Sequence, residues 1–353
     1  MSRFWSTTAS STDPYVPGEQ PQKQNIIKLN TNENPYPPSP KVLTAIREGV
    51  NESLRLYPSP TADDLRRTAG EFFGLSPNQV FVGNGSDEVL AFAFQAFFEP
   101  GETILFPDIT YSFYPVYAKL YDLNYETVPL NEDFSVPVEK FLNAPGGVIF
   151  PNPNAPTGLG LSLAQVEYIV NHNRDRVVIV DEAYVDFGGQ SAVPLIQKYQ
   201  NLLVIQTLSK SRSLAGLRVG FALGQEHLIE GLNRIKNSFN SYTLDRLALI
   251  GAKAAIEDVE YFQSTTEKII TTRKRITSEL RNLGFYVIES QANFIFIYHH
   301  QLPAKKLYKD LKEQGIYVRY FNQSRVEDFV RVTIGTDEEM DVFLKAVREF
   351  LRT

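Results

Sequence analysis

The chain has 353 residues, 43% hydrophobic and 22% charged, and its 35 Lys and Arg against 41 Asp and Glu give a formal charge of −6, a globular composition with no excess of positive charge. It holds no basic run and no cysteine, so a nucleic-acid surface, disulfides and thiolate chemistry are not expected. Of its four histidines only His299 and His300 are neighbours; adjacent strand residues face opposite ways, so no metal site is expected.

The first segment, Met1–Thr12, is rich in Ser and Thr and lacks the apolar stretch of a signal peptide. Apolar runs such as Val177–Val180 are strand-sized and too short for a membrane span; a cytoplasmic location is expected. The length exceeds what one ordinary core fills, which predicts a large domain with a smaller companion. From about residue 60 to 225 short apolar runs alternate with helical patterns. The expected strands are Gln79–Gly83, Thr103–Phe106, Tyr125–Pro129, Gly147–Phe150, Arg176–Val180, Leu202–Gln206 and Arg218–Leu223. Expected helices between them include Ser86–Phe98, Tyr111–Leu120 and Ser162–His172. Strands buried on both faces and separated by helices predict an α/β fold with a mainly parallel seven-stranded sheet, whose ligand sits at the carboxyl ends of the strands.

After about residue 243 the texture changes. A long helical region, Leu244–Leu283, precedes strands at Phe285–Ile288 and Phe294–Tyr298, a helix at Ala304–Gln314, a strand at Phe329–Ile334 and a closing helix from about Asp337. The expected division is an N-terminal arm (1–40) packed on the smaller domain, a large domain (41–243) and a small α+β domain (244–353).

Three charged residues fall at the edges of neighbouring apolar strands. Asp181 closes Val177–Val180, Lys210 follows Leu203–Gln206, and Arg218 enters the next strand eight residues later. Pyridoxal 5′-phosphate requires that combination. Its aldehyde needs a lysine amine to form a Schiff base. Its ring nitrogen stays protonated beside a buried carboxylate. Its phosphate needs a fixed cation, hydroxyls and a helix N-terminus.

The run Ser209-Lys210-x5-Gly216-x-Arg218 resembles the cofactor-lysine signature of class-II-type aminotransferases with the aspartate-aminotransferase-like fold, and the resemblance extends from Asn30 to the C-terminal helix. It implies a role for further residues in order. Asn84-Gly85-Ser86-Asp87-Glu88 is similar to the phosphate-binding turn, so Gly85, Ser86 and Asp87 are implied cofactor contacts. Tyr111 matches the aromatic ring stacked on the pyridine, Tyr184 the tyrosine at the ring hydroxyl, and Thr207 and Ser209 the phosphate-binding hydroxyls. Tyr57, before Pro58, matches a tyrosine that reaches the cofactor phosphate of the neighbouring subunit, which implies a homodimer with shared active sites. One departure is visible: where the family reads Asn-Asn-Pro-Thr-Gly, this chain has Asn154-Ala155-Pro156-Thr157-Gly158. Either Tyr184 serves the ring hydroxyl by itself or Asn154 reaches in from one residue earlier.

Within this class the chain is most similar to the histidinol-phosphate aminotransferases, on Leu29-Asn30-Thr31-Asn32-Glu33-Asn34-Pro35, Tyr57-Pro58 and Arg331-Val332-Thr333-Ile334-Gly335. The resemblance implies transamination from L-histidinol phosphate to 2-oxoglutarate, with Lys210, Asp181 and Tyr184 catalytic and Tyr15, Asn32, Arg319 and Arg331 binding substrate. An aromatic amino-acid aminotransferase and a threonine-phosphate decarboxylase share the fold and are the alternatives. A cofactor-sensing regulator of transcription is not expected, because the segment before Asn30 is short and poor in Lys and Arg.

Overall fold

A computed structural model describes residues 2–21 and 25–352. The arm holds a short helix α1 (Thr7–Ser11) and a two-residue strand β1 (Ile27–Lys28). The large body follows with helices α2 (Pro40–Gly49), α3 (Asp63–Phe73), α4 (Gly85–Phe97), α5 (Tyr114–Leu120), α6 (Leu163–Asn171), α7 (Glu226–Phe239) and α8 (Arg246–Glu257). Its strands are β2 (Val80–Asn84), β3 (Thr103–Pro107), β4 (Asn124–Val128), β5 (Gly147–Pro151), β6 (Val178–Asp181), β7 (Leu202–Thr207) and β8 (Val219–Gly224).

These seven strands form one sheet in the order β2-β8-β7-β6-β5-β3-β4. Within it β8 runs against both neighbours while the rest are parallel, so the sheet is α/β and mostly parallel, as the unbroken apolar runs predict. The two-residue period divides the inner strands between two cores. In β6, Val178 and Val180 join the layer that holds Val42, Leu65, Val166 and Ala248. Ile179 joins the opposite layer, with Leu90, Phe94, Tyr114 and Leu232. Both faces of β6 are therefore dry, and its four residues are all buried.

The smaller domain contains α9 (Val259–Asn282), α10 (Ala304–Glu313), α11 (Asp337–Phe350) and strands β9 (Tyr286–Val287), β10 (Phe294–Tyr298), β11 (Ile316–Tyr317), β12 (Arg319–Tyr320) and β13 (Val330–Thr333). Four of these strands pair in the order β12-β13-β10-β9, and Ile269, Ile276, Phe343 and Val347 pack in the core beneath them. Thr336 and Glu339 close the start of α11 with a reciprocal capping box.

The region expected as one helical stretch, Leu244–Leu283, is two helices. Asp258 ends α8 and precedes α9, and its carboxylate takes hydrogen bonds from Ser39 and from Lys41 Nζ (2.8 Å). Ala248, Ala252 and Ile256 of α8 lie in the large sheet's core, whereas α9 joins the smaller one; the expected boundary at 243/244 precedes α8. The arm touches both bodies. β1 pairs in parallel with β11, while Asp13 is ion-paired with Lys119 at 2.8 Å and Tyr15 stacks on Phe113 at 4.4 Å. Among the described residues no helix is long and apolar enough to cross a membrane.

Candidate active site

The carboxyl ends of the parallel strands converge on one edge of the sheet, and the start of the reversed β8 joins them there. That topology sets Asn84, Pro107, Pro151, Asp181 and Thr207 at strand ends on one rim, with Arg218 entering β8 beside them. A cavity of about 410 Å³ opens on this rim between the two domains and the arm. Tyr15, Asn32, Ser86, Asp87, Tyr111, Asp181, Tyr184, Thr207, Ser209, Lys210, Arg218, Arg319 and Arg331 all line it.

Lys210 Nζ donates to the Thr31 carbonyl at 3.0 Å. Burial, and then the Arg331 cation, lower its amine to about 8, because both disfavour a second positive charge. On the neighbouring strand, burial pushes the Asp181 carboxyl up to about 6 against the hydrogen bonds it accepts. Those bonds come from Tyr114 Oη at 2.9 Å and the Ala183 amide at 3.3 Å. Both groups therefore titrate nearer neutrality than in water, which suits proton transfer.

Two glycines shape the end of the cavity next to Arg218. Gly85 begins α4 at φ +77°, a left-handed conformation, and a Cβ there would overlap the Arg218 guanidinium. A Cβ on Gly220 would lie 2.5 Å from the Gly85 carbonyl carbon and the Ser86 amide nitrogen. The two glycines thus let β8 press against the first turn of α4, whose amides have no acceptor within the helix. Arg218 Nη2 lies 3.1 Å from Asp87 Oδ2, and Asp87 Oδ1 accepts from Tyr111 Oη at 2.8 Å. The Thr207 and Ser209 hydroxyls meet at 2.9 Å.

At the other end stand the arginines. Arg331 Nη2 donates to the Asn30 carbonyl at 3.0 Å, while its buried Nε has no partner among the described residues. A buried guanidinium N–H without an acceptor is a site for an anion. Arg319 lies over the Phe321 ring at 5.5 Å, and Tyr15 with Phe113 closes the wall from the arm.

Three expected contacts lie elsewhere. Gly85 shapes the cradle without lining the cavity. Asn154 stands behind the wall: its Nδ2 donates to the Ile109 carbonyl (3.0 Å) and Thr157 Oγ1 (3.1 Å), and Ala155 takes the lining position. Both residues are buried, Asn154 at 1% and Ala155 at 7% exposure, and the Asn154 Oδ1 has no hydrogen-bond partner among the described residues. Tyr57 is 78% exposed, stacks on Tyr242 at 4.5 Å and borders a separate groove with Leu54, Leu56 and Arg246.

Sequence reasoning missed Tyr114 and Asn34. Tyr114 opens α5 three residues after Tyr111 and three before Tyr117, a spacing visible in the sequence. Asn34 Nδ2 donates to the Lys210 carbonyl at 2.9 Å, a contact across 176 positions that no local pattern announces.

The aminotransferase class I and II family model matches residues 24–347. The chain belongs to this family. As a class I and II aminotransferase it has relatives named histidinol-phosphate aminotransferase in Clostridium acetobutylicum, 57% identical over 99% of both chains, and in Clostridium beijerinckii, 56% identical over 99% of this chain and 98% of the relative. Its fold is also that of a histidinol-phosphate aminotransferase from Sinorhizobium meliloti solved in complex with pyridoxal 5′-phosphate, with TM-score 0.89, 24% identity and coverage of 100% of this chain and 98% of that one. The aminotransferase cavity here fits such a group. It offers one amine of lowered basicity, one buried carboxylate and a glycine-walled helix start with an arginine beside it.

Proposed function

We propose that this aminotransferase holds pyridoxal 5′-phosphate on Lys210 and transfers the amino group of L-histidinol phosphate to 2-oxoglutarate, giving imidazole acetol phosphate and L-glutamate. The observation that carries the reading is the single cavity shared by Lys210, Asp181 and the unpaired Nε of Arg331. Relatives at 56–57% identity over nearly the whole chain bear the name of that activity.

Lys210 Nζ takes the cofactor aldehyde. The first turn of α4 with Ser86, Thr207, Ser209 and Arg218 takes the phosphate, while Asp87 holds Arg218 and Tyr111 in place. Tyr111 would hold the ring face, Asp181 the ring nitrogen and Tyr184 the ring hydroxyl. When bound, the cofactor supplies the electron sink that stabilises negative charge at the substrate carbon. Lys210 Nζ, whose amine burial and Arg331 hold below the usual lysine range, would be the group that moves the proton at that carbon. Asp181 keeps the ring nitrogen protonated, and that cation in turn holds the carboxylate charged. Arg331 binds the phosphate ester of one substrate and a carboxylate of the other, each an anion that accepts two hydrogen bonds from the guanidinium fork. Arg319 adds a second positive charge, and the arm brings Tyr15 over the donor's ring.

The working unit is a homodimer in which Tyr57 serves the partner's site. Its support is that Tyr57, Leu54, Leu56 and Tyr242 are exposed together outside this chain's own cavity. Turnover with histidinol phosphate, phenylalanine and threonine phosphate, each with 2-oxoglutarate, tests the substrate. Preference for phenylalanine would favour the aromatic alternative, for which the support is the presence of Tyr15, Phe113 and Phe321 in the cavity lining. Release of CO2 from threonine phosphate without an acceptor would overturn transamination.

A further inference from the structure

Asn32 lines the cavity beside Tyr184, and both polar atoms of its side chain have protein partners. It is 1% exposed and sits at φ +56°, a left-handed conformation that Asn tolerates better than most residues. Its backbone amide donates to Thr333 Oγ1 at 3.0 Å, and Thr333 Oγ1 donates its one hydrogen to Asn32 Oδ1 at 3.0 Å. Its carbonyl accepts from Asn293 Nδ2 at 2.9 Å. With Oδ1 held by Thr333, the amide NH2 faces Tyr184 and donates to Oη at 3.0 Å.

The polarity of that last bond matters. A phenol has one hydrogen to give and lone pairs to receive, while the Asn32 NH2 can only give. The Tyr184 oxygen therefore accepts from Asn32, and its own hydrogen stays available to the cavity. Ala155, Ala292 and Phe294 pack with Tyr184, the Phe294 ring meets it edge-on at 5.1 Å, and Lys210 Nζ lies 5.9 Å from the ring centre. Among the described residues Asn32 is the side chain hydrogen-bonded to the Tyr184 hydroxyl.

We propose that Asn32 is a positioning residue, fixed by Thr333, that sets the Tyr184 hydroxyl as a hydrogen donor to the cofactor's ring oxygen in a site where Ala155 offers none. The inference rests on the reading of Tyr184 proposed above. It also ties that donor to the anion site, because Thr333 and Arg331 stand two residues apart on β13 and share a face.

The test uses the cofactor-free full chain and equilibrium binding of two probes, pyridoxal 5′-phosphate and the analogue lacking the ring hydroxyl. Asn32→Asp keeps the size, the left-handed backbone and the acceptor for Thr333, but it offers Tyr184 an acceptor in place of a donor. The phenol hydrogen then turns to the introduced carboxylate. Affinity for pyridoxal phosphate should fall about three- to tenfold more than affinity for the analogue, the worth of a neutral hydrogen bond, because the introduced charge acts on both probes alike. Thr333→Val, which adds no charge, should give a smaller loss with the same selectivity. Tyr184→Phe should lose affinity for pyridoxal phosphate alone, and adding Asn32→Asp to it should add no further selectivity. Equal losses for the two probes in either the Asn32 or the Thr333 variant would show a merely structural role and overturn the proposal. So would an unchanged Asn32→Asp beside a selective Tyr184→Phe, with the reading of Tyr184 left standing. A Tyr184→Phe protein without selectivity would overturn that reading and the proposal together.

Discussion

Arg218 reaches back across 131 positions to Asp87, its Nη2 3.1 Å from Oδ2, so the cation expected at a phosphate is already held by a carboxylate. The same carboxylate takes the Tyr111 hydroxyl. One acidic residue thus aims both a guanidinium and an aromatic ring into the cavity, from the first turn of α4.

Both side chains of that pair are substantially exposed, at 43% and 39%, so its net worth to folding is small. Arg218→Ala should leave the stability of the cofactor-free protein within about 1 kcal/mol of wild type. Affinity for pyridoxal phosphate should fall by about 2–3 kcal/mol, roughly 30- to 150-fold, for loss of a charged hydrogen bond. Thermal melts and a binding titration separate the two effects. A large loss of stability with unchanged affinity would make Arg218 a structural residue.

The amine of Lys210 must be neutral to take an aldehyde. With its pKa near 8, capture of pyridoxal phosphate by the cofactor-free protein should quicken about tenfold per pH unit below 8 and level off above it. Arg331 is one cause of that lowering. Removing its charge in Arg331→Gln should raise the amine pKa, move the midpoint to higher pH and slow capture at pH 7. Stopped-flow absorbance across pH 6–10 reads the midpoint. An unmoved midpoint would show that the guanidinium does not act on the amine. Lys210→Ala should bind the cofactor reversibly, with nothing for borohydride to fix to the protein.

Asp181 is 5% exposed and receives Tyr114 on one oxygen. Asp181→Asn keeps that acceptor and the shape, so the cofactor should still bind. Turnover should drop on the order of ten-thousand-fold, as when an orienting carboxylate is neutralised in other enzymes. Single-turnover rates near those of wild type would remove Asp181 from the ring nitrogen.

Arg331 and Arg319 are separable. Arg331→Ala should weaken histidinol phosphate and glutamate alike, by about 2–3 kcal/mol each. Arg319→Ala should hurt the dianionic phosphate more than glutamate. The two half-reactions measured apart decide this, and an effect of Arg319→Ala on glutamate alone would shift the donor toward an aromatic amino acid.

For the dimer, Tyr57→Ala and Lys210→Ala subunits, each inactive, should regain partial activity when mixed, because one composite site per heterodimer is whole. Heterodimers that form but recover nothing would place Tyr57 outside the site.

Much of this site was legible in the chain itself. Asp181 and Lys210 stand at or just past the carboxyl ends of apolar runs, where a parallel sheet has its ligand-binding rim, whereas Arg218 begins its run and reaches the same rim only because β8 is antiparallel. Strand positions were legible for the same reason: runs such as Leu202–Thr207 are buried throughout, and only a two-sided sheet consumes them.

What the sequence by itself determined is this set of strand ends, because hydrophobic period is a local property and survives without knowledge of partners. Tertiary structure decided the rest. It split the helical stretch at Asp258, whose partners Ser39 and Lys41 lie more than 200 positions away. It turned Asn154 into the wall and left Ala155 on the cavity, a choice made by the path of one turn. It set Asn32 against Tyr184 across 152 positions. A hydrogen bond depends on the distance and direction between two groups. Where those groups are brought together by the folding of distant segments, neither residue's neighbours in the chain carry a trace of the other.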